Sequence, residues 1–440
     1  MLFSRASDET APVRPGGRDT HMIEAAKGTR DILPAEIARW QLVETRARET
    51  FALFGFREIR TPIFEATELF ARGIGEGTDI VAKEMYTFQD RKGRSLTLRP
   101  ENTAPVARAY IQHQMHRGSD VERLYYIGPM FRYERPQKGR TRQFHQIGVE
   151  AIGSDNPAID AETLQMLMLF LERLKIPSLT LQLGSAGDET CRPAYRQALV
   201  SELTPHRASL CDDCRRRLET NPLRCLDCKV PADQALMAQV TPIFDHLCAA
   251  CREHLGAVRA HLDRLGVRHV LAPRLVRGLD YYRRTTFEVT QPALGAQSAL
   301  LGGGRYDGLV QELGGPPVAG FGFAIGQDRL VLCLPPDLEG FEDRLDVVVA
   351  PLGGAALGPA LSAASRLRLS GKRVVLDPLP EKSLKSQMRR AHDLQARFVL
   401  ILGEEEVKNG TFTLKRMADG EQRRGPDPDL LRTLSEMSHD

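Results

Sequence analysis

The stretch Tyr125–Glu150, YYIGPMFRYERPQKGRTRQFHQIGVE, gathers Arg132, Arg135, Lys138, Arg140 and Arg142 around a loop holding Pro136 and Gly139. On a hairpin, strand-borne charges at period two share a face. Two or three guanidiniums converging there suit a polyphosphate, because each fork pairs bidentately with phosphate oxygens. Gln146 and Glu150 lie four apart, so a strand puts them on one face, where they can bind a cation or a group rich in N–H donors. The alternative is a solvated basic hairpin with ordinary salt bridges.

In Leu275–Tyr282, LVRGLDYY, Arg277 offers a fixed cation where Gly278 lets a ligand approach, and Tyr282 can donate or accept a hydrogen bond. A buried salt bridge with aromatic packing explains the same residues. Gly302–Leu309, GGGRYDGL, lacks the ending of a P-loop and the glycine spacing of a dinucleotide site, and on its own predicts a tight turn. Ala319–Leu330, AGFGFAIGQDRL, runs a glycine-rich strand into a helix with Arg329 in its first turn; an ordinary surface arginine fits there equally. In Thr97–Ala104, TLRPENTA, Pro100 ends a strand, and Glu101, Asn102 and Thr103 open a helix. They either accept an ammonium group or, through Asn102 or Thr103, cap the helix.

Six of the eight cysteines form C-x-x-C pairs: Cys211–Cys214, Cys225–Cys228 and Cys248–Cys251. Four thiolates make a structural zinc site. The first two pairs are ten residues apart, as in a compact zinc ribbon, which makes Cys211, Cys214, Cys225 and Cys228 the expected ligands. Helix packing by small buried thiols is the alternative. A redox role lacks the thioredoxin-like context it needs.

These residues need elements to hold them. A helix is expected over Pro34–Leu53, with Pro34 in the tolerant first turn and Gly55 at the C-cap. Ser95–Leu98, Arg123–Ile127 and Phe144–Val149 read as strands between polar turns. Thr163–Leu174 reads as a helix and Leu179–Leu183 as a strand. From about 190 to 265 the pattern is helical, rich in Leu, Arg, Cys and Ala, and predicts an inserted domain. Strands resume at His269–Leu271, Thr285–Thr290 and Gly320–Ala324, with a helix from Gln327. After Pro335, Pro336 and Gly340, strands at Leu345–Ala350, Arg373–Leu376 and Phe398–Leu402 alternate with helices at Leu357–Leu369 and Ser383–Leu394. That alternation predicts a separate α/β domain. The expected organisation is a disordered extension 1–23, a catalytic domain in two parts (24–189 and 266–335), the insertion 190–265, and a C-terminal domain 341–440.

At 440 residues, several domains are expected. Apolar residues at 42% and charged residues at 27% exclude collagen-like and wholly disordered classes. No stretch approaches the ~18 apolar residues of a membrane span, and Met1–His21 lacks the apolar core of a secretory signal, so the cytoplasm is the expected compartment. A net charge of +3 leaves any nucleic acid to be held by local basic patches such as Lys382, Lys385, Arg389 and Arg390.

Taken in order, these segments resemble the histidyl-tRNA synthetases, a family of class II aminoacyl-tRNA synthetases, over about residues 25–435. Phe51–Glu65 is similar to motif 1 with its Pro62, FRYE at Phe131–Glu134 and the strand ending in Glu150 to motif 2, and Gly322–Leu330 to motif 3. LVRGLDYY and GGGRYDGL resemble the two peptides peculiar to the histidine enzymes. The resemblance implies an α+β catalytic domain with an antiparallel sheet, a helical insertion and a C-terminal α/β anticodon-binding domain. It also implies a homodimer built through motif 1 and a histidine–tRNA ligase reaction that consumes ATP with Mg2+.

Carried over by position, Arg132 grips the α-phosphate, Arg140 and Arg329 the outer phosphates, and Glu134 completes the ATP site. Arg277 stands in for a second metal ion at the α-phosphate. Glu101, Asn102, Thr103 and Gln146 belong to the histidine site on the ammonium side. Glu150 and Tyr282 bracket the imidazole, with Tyr281 and Tyr306 alongside. Arg135, Gln137 and Lys138 face the acceptor end of histidine tRNA, where the family reads an extra 5′ guanosine. Two positions depart from the family pattern: Asn102 replaces a glycine, which predicts a positive-φ turn, and Asp328 replaces a glutamate. The other class that keeps this fold is a non-catalytic regulatory subunit of histidine biosynthesis. Such proteins usually lose the anticodon domain and the ATP-gripping arginines, both of which are expected here.

Overall fold

The structure is a computed structural model describing residues 23–439 apart from Glu76, Gly77, Asp79, Ser119, Asp120, Lys138, Ala296, Gln297, Asp337 and 339–344. Residues 1–22 of the expected extension, and Lys138, therefore lie outside it. The chain divides into two compact units that part after Leu338.

The strands in chain order are β1 (Arg57–Glu58), β2 (Phe64–Ala66), β3 (Tyr86–Gln89), β4 (Ser95–Leu98), β5 (Glu122–Phe131), β6 (Gln143–Ile152), β7 (Thr180–Ser185), β8 (Val270–Leu271), β9 (Arg283–Thr290), β10 (Ala299–Arg305) and β11 (Gly320–Gly326). Eight form one sheet in the order β1-β5-β6-β11-β10-β9-β7-β8. The six inner strands run antiparallel, and the two-residue strands β1 and β8 pair parallel at the edges. The remaining three make a small antiparallel sheet, β2-β4-β3.

The helix Pro34–Leu53 has the bounds its punctuation predicts, with Gly55 at φ 76° where a left-handed exit is needed. It buries Trp40, Leu42, Val43 and Phe51. Phe51 meets the rings of Tyr125, Phe170 and Phe323 at 5.4, 5.5 and 6.2 Å, which fastens this helix and Pro157–Arg173 to the sheet. Truncating Phe51 to alanine would cost about 3–5 kcal/mol. The other face of the sheet carries a cluster that includes Tyr110, Tyr126, Tyr281, Tyr282 and Tyr306.

Of the stretch Gly302–Leu309, expected to form a tight turn, Gly302–Arg305 instead continues β10, paired with β9 and β11, and the turn comes at Asp307 and Gly308, closed by the Leu309 N–H on the Tyr306 carbonyl at 3.1 Å. The glycines are there because neighbours occupy the space of a side chain: a Cβ on Gly302 would stand 2.4 Å from the Arg277 guanidinium carbon. Between 190 and 265 the helices are Arg192–Leu203, Asp212–Thr220, Pro231–Met237 and Ala249–Arg264, joined by short 3-10 turns.

The second unit holds β12 (Val347–Pro351), β13 (Val374–Leu376), β14 (Phe398–Leu402), β15 (Thr411–Arg416) and β16 (Gln422–Pro426), in the order β13-β12-β14-β15-β16. The first three are parallel, as the strand–helix alternation predicts, and β15 and β16 add an antiparallel hairpin that the sequence reading did not include. Helix Leu357–Leu369 packs Ala360, Ala363, Ala364 and Leu367 onto Val347, Val349 and Leu400.

Candidate active site

Antiparallel pairing of β6, β11 and β10 lines a cavity of about 190 Å3 on the tyrosine-bearing face. Its wall includes Glu101, Thr103, Arg132, Gln146, Glu150, Arg277, Tyr281, Tyr282 and Tyr306, so residues from four distant sequence stretches meet there. Gln146 and Glu150 share the inner face of β6, as their spacing predicts.

Glu150 is 1% exposed and accepts hydrogen bonds from Thr103 Oγ1 at 2.7 Å and from the Tyr306 hydroxyl at 2.6 Å. Burial outweighs these two donors and pushes its carboxyl up to about 8. Gly322 opposite is obligatory for this arrangement, because a Cβ there would sit 2.1 Å from Glu150 Oε2. Burial also raises Glu101, against the pull of the Thr103 and Ala104 N–H groups and of Arg132. Among the described residues Gln146 Oε1 has no hydrogen-bond partner, and it is buried. A buried acceptor left unmatched costs about 1–3 kcal/mol, and a donor from outside would remove that cost.

Glu101 rather than Asn102 or Thr103 caps the helix Thr103–Gln112, accepting the N–H groups of Thr103 and Ala104 at 2.7 and 3.0 Å. Asn102 is placed differently from expectation on two counts. Its φ is −125°, so no left-handed turn is involved. Its Oδ1 accepts from Thr61 Oγ1 at 2.6 Å and Arg99 at 3.3 Å, and it does not line the cavity. It fastens the loop to the segment between β1 and β2, through Thr61, and to Arg99 just past β4.

Arg277 reaches the cavity across Gly302. Its Nη1 bonds Glu288 Oε2 at 3.0 Å, while its buried Nε has no partner among the described residues. Arg132 donates Nε to the Pro100 carbonyl at 2.8 Å, and its guanidinium lies 5.3 Å from the Phe144 ring centre. Arg140 pairs with Glu134 at 3.4 Å. Arg329 donates to the Ala299 carbonyl at 2.8 Å, and burial followed by the nearby Arg140 charge lowers its pKa. Two arginines held close enough to repel form a site for an anion.

The loop between β5 and β6 closes by mutual backbone bonds of Gln137 and Arg140 at 3.0 and 2.8 Å, with Gly139 at φ 74° packed on Arg329. Arg135 and Gln137 are exposed on it. Asp328 accepts the His145 N–H at 2.9 Å, which ties the helix Gln327–Leu332 to β6.

Sequence reasoning missed Glu288 and Tyr126. Glu288 stands opposite Gly302 in the β9–β10 register, and a lone acid in the apolar run TTFEVT is the signal that marks it. Tyr126 is buried beneath Gly148, its hydroxyl without a partner among the described residues.

The four-cysteine set expected from spacing does not assemble. Cys211, Cys214 and Cys228 come together, but Cys225 lies in the turn Pro222–Asp227 with its thiol 3.6 Å from the Cys214 carbonyl, and Asp233 takes the fourth corner.

The sequence pattern of the histidyl-tRNA synthetase family matches residues 28–330, and that of the anticodon binding domain matches 346–437. The histidine–tRNA ligase of Koribacter versatilis strain Ellin345 is 52% identical over 412 residues, covering 91% of this chain and 93% of its own length. The crystal structure of apo S. aureus histidyl-tRNA synthetase superposes with a TM-score of 0.79 at 37% identity, covering 94% of this chain and all of that one. A Bacillus halodurans structure described as an ATP phosphoribosyltransferase regulatory subunit/histidyl-tRNA synthetase shares the fold, with a TM-score of 0.64 at 23% identity over 88% of this chain and 99% of its own.

Proposed function

The chain belongs to the histidyl-tRNA synthetase family, and we propose how its cavity activates L-histidine with ATP before the histidyl group passes to the 3′ end of histidine tRNA. The observation that carries the assignment is the unmatched Gln146 Oε1 beside the buried carboxyls of Glu101 and Glu150. Gln146, Glu101 and Thr103 hold the substrate α-ammonium. A carboxylate has lone pairs left after accepting two N–H bonds, so capping does not disqualify Glu101. Glu150 and Tyr282 address the two imidazole nitrogens, with Tyr281 and Tyr306 packed beside them. A side chain that cannot pair with both leaves buried polar groups unsatisfied, which penalises it heavily.

In the first step a histidine carboxylate oxygen attacks the α-phosphorus, and the bond to the pyrophosphate oxygen breaks. Charge builds on the α-phosphoryl oxygens, where Arg132 and Arg277 supply fixed cations. Neither exchanges a proton. Preorganised charge of this kind is worth several kcal/mol. Arg140 and Arg329 take the outer phosphates. Magnesium would be held here through one or two carboxylates plus the substrate phosphates. Glu134 and Glu288, which both act on Arg329, fit that role.

Arg135 and Gln137 meet the acceptor end of the tRNA, and the second unit contacts its anticodon. A homodimer through Phe51–Glu65 and a cytoplasmic location follow from the same reading. The regulatory alternative has less support, because the chain keeps Arg132, Arg140, Arg277 and Arg329 together with the anticodon-binding unit. Pyrophosphate exchange into ATP tests the assignment: it should depend on histidine and on no other amino acid. Histidine binding without exchange would favour the regulatory reading.

A further inference from the structure

Outside the cavity, cysteines and aspartates converge twice within the segment that follows β7. One quartet is Cys211, Cys214, Cys228 and Asp233; the other is Asp188, Cys191, Cys248 and Cys251. In each, one ligand atom per residue lies within 4.8 Å of all the others. We infer that this chain binds two zinc ions, each held by three cysteine thiolates and one aspartate.

The distances match the metal. Four thiolates or oxygens at the ordinary zinc radii, ~2.3 Å for sulfur and ~2.1 Å for oxygen, place S···S edges near 3.8 Å and S···O edges near 3.6 Å. Cys211–Cys228 and Cys191–Cys251 both measure 3.8 Å. Cys228–Asp233 and Cys248–Asp188 measure 3.3 and 3.6 Å. A disulfide, at ~2.05 Å, is far shorter and would leave the third thiol of each quartet unused. A four-iron cluster would hold its thiolates further apart.

The backbone supplies an independent sign. Sulfurs in both quartets accept N–H bonds: Cys211 from Cys214 at 3.4 Å, Cys228 from Val230 at 3.4 Å, Cys248 from Cys251 at 3.5 Å, and Cys191 from Asp188 at 3.3 Å. Such donors orient metal ligands and favour thiolate over thiol. Cys211 and Cys248 each sit as the N-cap of a helix whose third residue supplies the next ligand. The same device therefore builds both sites, although their sequence spacing differs.

The second quartet clips the entry of the segment to the start of the helix Ala249–Arg264. The first encloses a loop whose Arg224 donates to the Arg277 carbonyl at 3.3 Å and whose Asn221 donates to Asp280 at 3.2 Å. The first ion thus braces the backbone that presents Arg277. Neither site depends on the roles assigned to the cavity residues.

The test is zinc content of the full chain by mass spectrometry, after gel filtration in metal-free buffer. Wild type should carry two zinc ions per chain. Cys191→Ala and Cys211→Ala should each lose one, and Cys225→Ser should keep both. One ion or none in wild type, or loss of an ion in Cys225→Ser, overturns the inference. Should a variant not fold, wild type alone decides by alkylation of the native protein with and without a zinc chelator. Cys191, Cys211, Cys214, Cys228, Cys248 and Cys251 should become reactive only with the chelator. Equal reactivity in both conditions contradicts the two sites.

Discussion

Arg305, Asp160 and His254 form one buried charged group in the first unit, and the cavity around Glu150 and Gln146 forms another. The first is closed. Arg305 is fully buried and bonds Asp160, Asp307 and the Ser154 carbonyl, while His254 Nε2 lies 3.0 Å from the other Asp160 oxygen. Burial alone would lower the Arg305 pKa, but Asp160 and Asp307 outweigh it and hold the pKa above its usual value. The cavity is open by contrast: among the described residues Gln146 Oε1 and Arg277 Nε are buried without partners, and Glu150 is raised toward neutrality. Buried charge is common to both regions, so it does not mark function. Unmatched buried polarity occurs elsewhere too, at Trp40 Nε1, Tyr195 and Gln387 Oε1, so what distinguishes the cavity is that unmatched groups and raised carboxyls converge on one space a ligand can fill.

The sharpest way to break this contrast is to open the closed group. Asp160→Ala takes one of two carboxylates from a fully buried guanidinium and the partner from His254, and should cost about 3–5 kcal/mol in denaturant unfolding, with near-normal exchange activity per folded molecule in the cold. Loss of activity without loss of stability would place Asp160 in the chemistry. Arg277→Ala is the reverse case. Exchange should fall about 10²–10³-fold while histidine and ATP still bind, because the cation acts mainly on transition-state charge. Exchange within a few-fold of wild type would contradict that role.

Glu150→Gln should raise the histidine KM about tenfold or more and leave the ATP KM nearly unchanged, since one charged hydrogen-bond partner is worth roughly 1.5–3 kcal/mol. Its pH signature has a definite sign. In the ligand-free fold Glu150 titrates at about 8 against an ordinary 4.5, so the folded state holds an extra proton between these values. The stability it contributes is present below about 4.5 and is lost as pH rises through about 8. The melting temperature of wild type relative to Glu150→Gln should therefore fall across that window. A flat difference would mean Glu150 is ionised throughout. Gln137→Ala should be milder, slowing tRNA charging several-fold with exchange unchanged; equal damage to both reactions would put the loop in the adenylation site.

How far the sequence revealed these regions follows from what each feature depends on. The helix Pro34–Leu53 was legible because Pro34 and Gly55 punctuate it locally. The facing of Gln146 and Glu150 was legible because strand period is fixed. Within Gly302–Leu309 the expected turn holds at Asp307 and Gly308 but not at Gly302–Gly304, because glycine marks a turn and a close approach alike, and at Gly302 the Arg277 side chain packed across β10 decides between them. Asn102 was read from a motif, whereas Thr61 and Arg99, brought near by folding, set its place. Cys225 was chosen over Asp233 because spacing along the chain cannot tell which way a 3-10 turn points a thiol. Arg305–Asp160–His254 spans well-separated parts of the chain and left no local signal.

The contrast is tested most directly at Gln146, by measuring the melting temperature of the ligand-free Gln146→Met variant together with its affinity for histidine in titration calorimetry. Methionine keeps the length and removes the unmatched carbonyl. The prediction is a ligand-free melting temperature equal to or above wild type, with histidine binding weakened about tenfold. A lower melting temperature with unchanged histidine affinity would show that Gln146 serves the fold, and would contradict the reading of the cavity as polarity reserved for a ligand.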